Sequence, residues 1–339
     1  MKRIFVISTT VLLILGLILK TEMVTQGVSE ALVLCVKSVI PALFPFFVLS
    51  GIMVNTGIIS LIGKWISPVA RCIFGVSGKG AVAFVIGLLC GYPTGAKMIA
   101  DMYKNGAVEK KEAESLLAFC NNSGPLFVIG AVGTKMLGNH TTGVVLYVIH
   151  AISATLCAVV FGLFSKRKKE KINDEIITIK FSEAVAKGVE QAVVSILNVC
   201  GYVVFFACIT SLIKEYISDC FALSLIEVTQ GAKEIILAGL PYTKTFVLLT
   251  GVIGFGGICV LFQVMSIATQ AGLSVKKYFL GKILQGTFAM IIAKIFVLYS
   301  DAVPVFAPVE TAHETFQITY FALFLLCGFF TLRRLTKKT

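Results

Sequence analysis

Long apolar segments alternate with short polar ones along almost the whole chain. At 1.5 Å per residue, several of them are long enough to cross a hydrocarbon core about 30 Å thick as α-helices. The first run, "MKRIFVISTTVLLILGLIL", has no small-residue cleavage motif after it, so we expect a retained N-terminal transmembrane helix within residues 1–26. The further apolar segments lie at about 28–54, 80–100, 112–137, 142–164, 189–213, 243–271, 278–300 and 315–332.

Composition agrees with lipid as the main solvent. The chain is 57% hydrophobic and only 14% charged, with a mean hydropathy of +0.92, against roughly 45–50% apolar residues in soluble domains. The pattern predicts an all-α polytopic membrane protein with about 7–8 transmembrane spans, located as a multi-pass protein in a bacterial inner or plasma membrane. The net charge of +12 sits mainly at segment ends, where it faces anionic lipid headgroups, so membrane lipids are expected partners and nucleic acid is not.

A basic segment divides the chain into two similar halves. Residues 166–187 carry a dense Lys/Arg cluster that predicts a cytoplasmic linker by the positive-inside rule. On either side, "GVSEALVLCVKSVIPALFPFF" from Gly27 aligns with "GVEQAVVSILNVCGYVVFF" from Gly188, and the segment from Gly87 aligns with the one from Gly251. The shared order predicts a duplication, with repeats at 27–165 and 188–332.

The two repeats are expected to run in opposite directions. The first helix brings Gly27 to the outer side, whereas Gly188 leaves the cytoplasmic linker, and inverted repeats are typical of transporters. Three spans per repeat place the C-terminus outside, but the basic tail at 333–339 indicates the inside. An eighth crossing near 218–240 would reconcile the two; because that segment contains Glu227, Lys233 and Glu234, we favour an interfacial helix there.

Two breaks interrupt the apolar segments of the first repeat. The flanks of "GYPTG" (91–95) are each about ten residues long, enough for roughly 15 Å of helix, which predicts a re-entrant helical hairpin. "NNSGP" (121–125) lies at a similar distance from the same polar loop, so the two breaks should face each other. In the second repeat, "GFGG" (254–257) is the expected second hairpin tip and "QGT" (285–287) the expected second break.

Breaks of this kind expose backbone groups that protein, ion or solute must satisfy in lipid. Pro93 has no N–H to donate, and Asn121 and its neighbours add polar side chains opposite the tip. Three structural alternatives stay open: a simple Pro/Gly kink, amides that join helices, and a Lys97 that reaches the membrane interface instead of an anion. The predicted substrate-binding residues are Gly91, Tyr92, Pro93, Thr94, Gly95, Lys97, Asn121, Asn122, Ser123, Gly256, Gly257 and Gln263.

No pattern of catalytic chemistry emerges. The ten cysteines form no CxxC pair, the three histidines are far apart in sequence, and "GVSGKG" fails the P-loop pattern because no Ser or Thr follows the lysine. We therefore predict no enzyme activity, no catalytic residues, no metal site and no cofactor.

Four stretches carry a family resemblance: "IPALFPFFVLSGIM", "GLLCGYPTGAKM", "AESLLAFCNNSGPLFVIGAVG" and "GFGGICVLFQV". They resemble integral membrane proteins of sporulation and, more broadly, the nucleoside-recognition or Gate-domain family. That family is in turn similar to concentrative nucleoside transporters, which implies an inverted repeat with two re-entrant hairpins. The transporter tip motif GQTEAP falls on residues 91–96, and the motif GFANFSSIG falls on the segment from Gly254.

The chain departs from the transporter motifs at the side chains that matter most. The glutamine and glutamate of the first tip are replaced by Tyr92 and Thr94, and the polar residues of the second motif become Gly257, Cys259 and Val260. Without a carboxylate at either tip, the resemblance carries over neither nucleoside recognition nor proton coupling. It implies a sporulation membrane protein whose transporter-like core binds or moves a small polar solute, with nucleosides among the candidates. The alternative is a non-transporting scaffold that recruits other sporulation membrane proteins or further copies of itself.

Overall fold

A computed structural model of the chain describes residues 2–163 and 179–299, apart from 215 and 218. The predicted span at 315–332, the basic tail at 333–339 and residues 166–178 of the linker lie outside the described residues. The helices are α1 Lys2–Leu19, α2 Thr21–Leu34, α3 Ile40–Asn55, α4 Ile58–Ile73, α5 Gly78–Cys90, α6 Thr94–Lys104, α7 Lys110–Cys120, α8 His140–Leu163, α9 Phe181–Ile213, α10 Cys220–Ser224, α11 Val228–Leu237, α12 Tyr242–Phe255, α13 Gly257–Gln270 and α14 Lys276–Tyr299; π-helical turns occupy Cys35–Val39 and Leu126–Met136.

The all-α polytopic class is confirmed. Four helical stretches of the described chain are long and apolar enough to cross a membrane: His140–Leu163, Phe181–Ile213, Tyr242–Gln270 and Lys276–Tyr299. Two sharply bent pairs raise the number to six if each is one span. The bend is 95° between Val6–Leu19 and Thr21–Lys37, and 83° between Leu43–Asn55 and Ile58–Pro68. The span predicted at 315–332 is not among these, because it lies outside the described residues.

The first spans of the two halves pack against each other in opposite directions. Gly27 of α2 contacts Ser211 near the end of α9, whereas a Cβ at Gly51 of α3 would lie 3.2 Å from the Cα of Gly188 near its start. Gly27 and Gly188, which the sequence alignment equates, therefore do the same thing: each allows the other half's helix to approach closely. This reciprocal contact is the arrangement expected of inverted repeats.

The hairpin predicted in the first half is present. α5 and α6 pack against each other and both pack on α7, with the turn at residues 91–93. A Cβ at Gly91 would lie 3.0 Å from the backbone nitrogen of Gly124, so the tip and the "NNSGP" break do face each other. The corresponding contact in the second half joins Gly254 to Gly286, where a Cβ on Gly254 would lie 3.0 Å from the Cα of Gly286.

The second half differs from its prediction at both breaks. "GFGG" does not turn the chain back: Tyr242–Gln270 forms one 29-residue span interrupted at Gly256. "QGT" is not a break, because α14 continues through it. Neither stretch contains a proline, so backbone hydrogen bonding is not forced to stop there. The compact helical pair of this half is instead α10 with α11, which turns at residues 225–227 and packs on α12.

Candidate functional site

Glycines allow the first tip to sit directly on the end of α7. A Cβ on either Gly87 or Gly95 would collide with the carbonyl oxygen of Cys120, the last residue of α7. Gly91 has a φ of 83°, a left-handed conformation that favours glycine. The tip is thus held by backbone-to-backbone contact, and Tyr92 and Thr94 are placed beside the break that follows Cys120.

Groups on other helices form hydrogen bonds with residues 121–123 at this break. The backbone N–H of Ser123 donates to Nε2 of His150 on α8 at 3.0 Å, and its hydroxyl donates to the carbonyl of Ile253 on α12 at 3.3 Å. The amide of Asn121 donates to the hydroxyl of Tyr278 on α14 at 3.3 Å. Three helices that are distant in sequence therefore converge on residues 121–123.

Asn122 links the break to α14 through an ordered chain of hydrogen bonds. Its Nδ2 donates to the carbonyl of Phe119 at 2.7 Å, and its Oδ1 accepts from Nε2 of Gln285 at 2.9 Å. Oε1 of Gln285 accepts in turn from Nζ of Lys282 at 2.7 Å. These three hydrogen bonds connect the side chain of Lys282 to the backbone of α7.

The second half is interrupted between α12 and α13 at Gly256, a junction called the second break from here on, and backbone carbonyls satisfy its amides. The N–H groups of Ile258 and Cys259, in the first turn of α13, donate to the carbonyls of Leu225 and Ile226 at 2.8 and 2.9 Å. Gly256 and Gly257 both have positive φ and lie at this junction. A Cβ at Gly256 would be 3.9 Å from the ring of Tyr92, so the second break borders the first tip.

A carboxylate lies here that the sequence did not lead us to expect. Glu227 is only 5% exposed and caps α11, accepting from the N–H groups of Thr229 and Gln230 at 3.0 and 2.7 Å. It is close enough to Tyr92 and Cys259 to interact with both electrostatically. The expectation that no carboxylate remains near the tips is wrong, because the segment taken for an interfacial helix folds back onto the second break.

Several buried polar atoms of this region have no hydrogen-bond partner. Around the breaks they are Thr94 Oγ1, Asn121 Oδ1, His150 Nδ1, Gln263 Oε1 and the hydroxyl of Tyr92. The remaining one in the described chain, Gln191 Oε1, lies on α9. Leaving such an atom unpaired costs about 1–3 kcal/mol, so their concentration at one place makes this region the candidate site.

The other predicted residues have more local roles. Nζ of Lys97 lies 2.8 Å from Oδ2 of Asp101, one turn further along α6, which neutralises its charge within the same helix. Nε2 of Gln263 contacts Sγ of Cys259 at 3.4 Å, and α13, which carries both, packs on α6. The tip, the first break and α13 are therefore neighbours, and the predicted residues come together from both halves of the chain.

The prediction missed four buried polar residues near the breaks: Glu227, Tyr278 and His150, which lie beside them, and Lys282, which is connected to the first break only through Gln285. Two had a readable signal, since Lys282 and His150 are ionisable side chains within apolar segments, and such residues are rare in membrane spans. Glu227 and Tyr278 had none, because only the packing of distant segments brings them to the breaks.

Comparison with known proteins supports the resemblance predicted from the motifs. Residues 36–166, which run from the π-helical turn before α3 to beyond the end of α8 and include the first tip and break, match the Gate family model, described as nucleoside recognition. The chain is also 24% identical over 328 residues to the sporulation integral membrane protein YlbJ of Bacillus subtilis (strain 168), covering 84% of this chain and 78% of that protein. No solved structure matches. Together with its spans, these similarities identify the chain as a multi-pass integral membrane protein.

Proposed function

We propose that this protein binds a small polar solute between the first tip and the two breaks, and that its transporter-like core moves the solute across the membrane. The observation that carries the proposal is the group of unpartnered buried atoms led by Thr94 Oγ1, Asn121 Oδ1 and Gln263 Oε1. A stable protein keeps such atoms unpaired mainly where function uses them.

The chemistry of these atoms favours a solute with several hydrogen-bond donors. Two are amide oxygens, which only accept, two are hydroxyls, which donate and accept, and the fifth is the ring nitrogen Nδ1 of His150. Tyr92 and Tyr278 add aromatic rings beside them. A nucleoside combines amino and imino donors with sugar hydroxyls and a flat ring, and the description of the matching family model points to the same class.

We further propose that the solute is needed during spore formation. The support is the similarity to the B. subtilis sporulation integral membrane protein, which extends over most of both chains. In this account the protein works in the membrane of a sporulating cell and has no catalytic role of its own.

Uptake into proteoliposomes tests the proposal. Purified protein is reconstituted and supplied with a panel of radiolabelled nucleosides, and wild type is compared with Gln263→Leu and Gln191→Leu. Both substitutions remove a buried amide whose oxygen is unpartnered, but only Gln263 lies at the site. We expect uptake of at least one nucleoside by wild type and by Gln191→Leu, and at least a tenfold loss in Gln263→Leu.

A protein of normal thermal stability that takes up none of the panel would contradict transport of a nucleoside. If it then also captured a second sporulation membrane protein from detergent extracts through a surface remote from the tip, the scaffold alternative would replace our proposal. Equal losses in both glutamine variants would show that buried amides matter for folding alone.

A further inference from the structure

Lys282 is a buried basic residue in the second turn of the membrane-spanning helix α14. It is 3% exposed, and its Nζ donates to Oε1 of Gln285 at 2.7 Å. Within the part of the chain that the structure describes, no carboxylate forms an ion pair with it. An intramembrane lysine without an acidic partner is unusual, since such residues are normally paired or functional.

The groups that face Lys282 come from two packed helices, α7 and α8, and from α14 itself. α7 contributes the thiol of Cys120, and α8 contributes the thiol of Cys157 and the ring of His150. On α14 itself, the ring of Tyr278 lies with its centroid 6.0 Å from Nζ. α12, the third helix packed on α14, presents Gly251 and Gly254 at its contact with Gly286.

None of these groups balances a positive charge. Nε2 of His150 accepts from the N–H of Ser123, so this imidazole is neutral and carries its proton on Nδ1. Thiols and a phenol ring are neutral as well. Because an isolated buried ammonium is far more costly than a neutral amine, the described arrangement fits Lys282 in its deprotonated form.

Protonation of Lys282 would affect the binding site through hydrogen bonds. Its amine is joined to the first break through Gln285 and Asn122, and Asn122 holds the carbonyl of Phe119 at the end of α7. An ammonium has three N–H groups and a charge to be solvated, so protonation favours a conformation in which water reaches Nζ. A proton and a solute that favour the same conformation assist each other's binding.

We propose that Lys282 carries the proton that drives solute movement: its amine takes up one proton from the aqueous phase on one side of the membrane and releases it on the other. The hydrogen bonds of Gln285 and Asn122 couple the protonation state of Lys282 to the break at residues 121–124. This inference rests on the proposed function and adds to it the coupling ion and the residue that holds it.

The first test requires no solute. Protons taken up by purified protein in detergent are counted by potentiometric titration from about pH 9 to about pH 6, a range in which an ordinary lysine stays protonated. Wild type is compared with Lys282→Met, which keeps most of the length of the side chain, and with Lys294→Met, which changes an exposed lysine of the same helix. We expect wild type and Lys294→Met to take up about one proton more than Lys282→Met. Identical curves for all three proteins overturn the proposal, whether or not a solute has been found.

The second test measures coupling in proteoliposomes with a nucleoside that wild type transports. An inward proton gradient should drive accumulation by wild type and by Lys294→Met. Lys282→Met should still bind the nucleoside and exchange it across the membrane, but its accumulation should no longer respond to the gradient. Gradient-driven accumulation that persists in Lys282→Met overturns the proposal, as does loss of nucleoside binding together with accumulation, since Lys282 would then be part of the solute site or of the fold. Absence of any uptake by wild type would instead contradict the proposed function and leave the proton count as the deciding result.

Discussion

Thr94 shows most simply how a single residue connects stability to function in this protein. It is fully buried at the start of α6, and its hydroxyl has no hydrogen-bond partner. Such a group lowers the stability of the empty protein, and under the proposed function the solute supplies its partner.

We therefore predict opposite effects of Thr94→Val on stability and on binding. Removing the unpaired hydroxyl should stabilise the empty protein by about 1 kcal/mol, whereas solute affinity should fall about tenfold because one hydrogen bond to the solute is lost. Thermal unfolding in detergent and ligand titration measure the two effects. Thr210→Val is the matched control, since its hydroxyl already donates to the carbonyl of Phe206 at 2.8 Å, so it should lose stability and keep affinity. A Thr94→Val protein that is less stable than wild type would contradict the account.

Gly95 tests whether close backbone contact holds the tip. Its missing side chain leaves room for the carbonyl of Cys120, and a methyl group there would collide with that oxygen. Gly95→Ala should destabilise the protein by about 1–3 kcal/mol, as overpacking does. At Gly201 of α9, a Cβ would have no neighbour within 4 Å, so Gly201→Ala should be neutral or slightly stabilising. Equal unfolding temperatures for the two variants would contradict a tightly seated tip.

Residues near the first tip were the most predictable part of the site. The glycines, the proline and the Asn-Asn-Ser run stand out in an apolar background, and lipid gives every unpaired backbone group a high cost. Glu227 could not be found this way, because its polar neighbours in sequence indicate a surface helix. Its burial follows from capping α11 beside a break 30 residues further along the chain, a contact that no local pattern contains.

At the level of elements, the two halves share one arrangement of helices but differ in where the chain turns. In the first half, α5 and α6 fold back as a hairpin; in the second, α12 continues into α13. Gly254 and Gly286, from the predicted second tip and the predicted second break, do lie in contact, but the hairpin that the alignment transferred to this half is absent. The difference has a physical reason: the carbonyls of Leu225 and Ile226 satisfy the first amides of α13, so the chain needs no reversal to satisfy them.

Glu227 should hold this junction together. Its carboxylate caps α11 through two backbone N–H groups, and replacement of an N-cap side chain by alanine costs about 1 kcal/mol. In Glu227→Ala we expect faster hydrogen exchange in residues 228–231 and in the first turn of α13, measured by mass spectrometry. Asp219→Ala, which removes the cap of α10 at an exposed position, should affect α10 alone. Unchanged exchange in α13 would show that the two segments are not coupled.

In the molecule as a whole, the two inverted halves cross where α2 and α3 pack on α9. The ideal Cβ position of Gly27 lies 3.3 Å from Cβ of Ser211, close to the separation in a disulfide. Gly27→Cys combined with Ser211→Cys should therefore form a disulfide under mild oxidation, identified by mass spectrometry of the linked peptides. Gly27→Cys with Gly201→Cys, almost three turns away along α9, should not. A reversed preference would contradict the antiparallel crossing.

The central functional claim, that a small polar solute binds where the first tip meets both breaks, is tested most directly by a ligand-stability screen. Thermal unfolding of wild type and of Thr94→Val is recorded with a panel of nucleosides at concentrations up to the millimolar range. A ligand at 100 times its Kd stabilises a protein by about 2.7 kcal/mol. The account predicts that at least one nucleoside raises the unfolding temperature of wild type by several degrees and that of Thr94→Val clearly less at the same concentration. Equal shifts in both proteins, or no shift in wild type with any nucleoside, would contradict it.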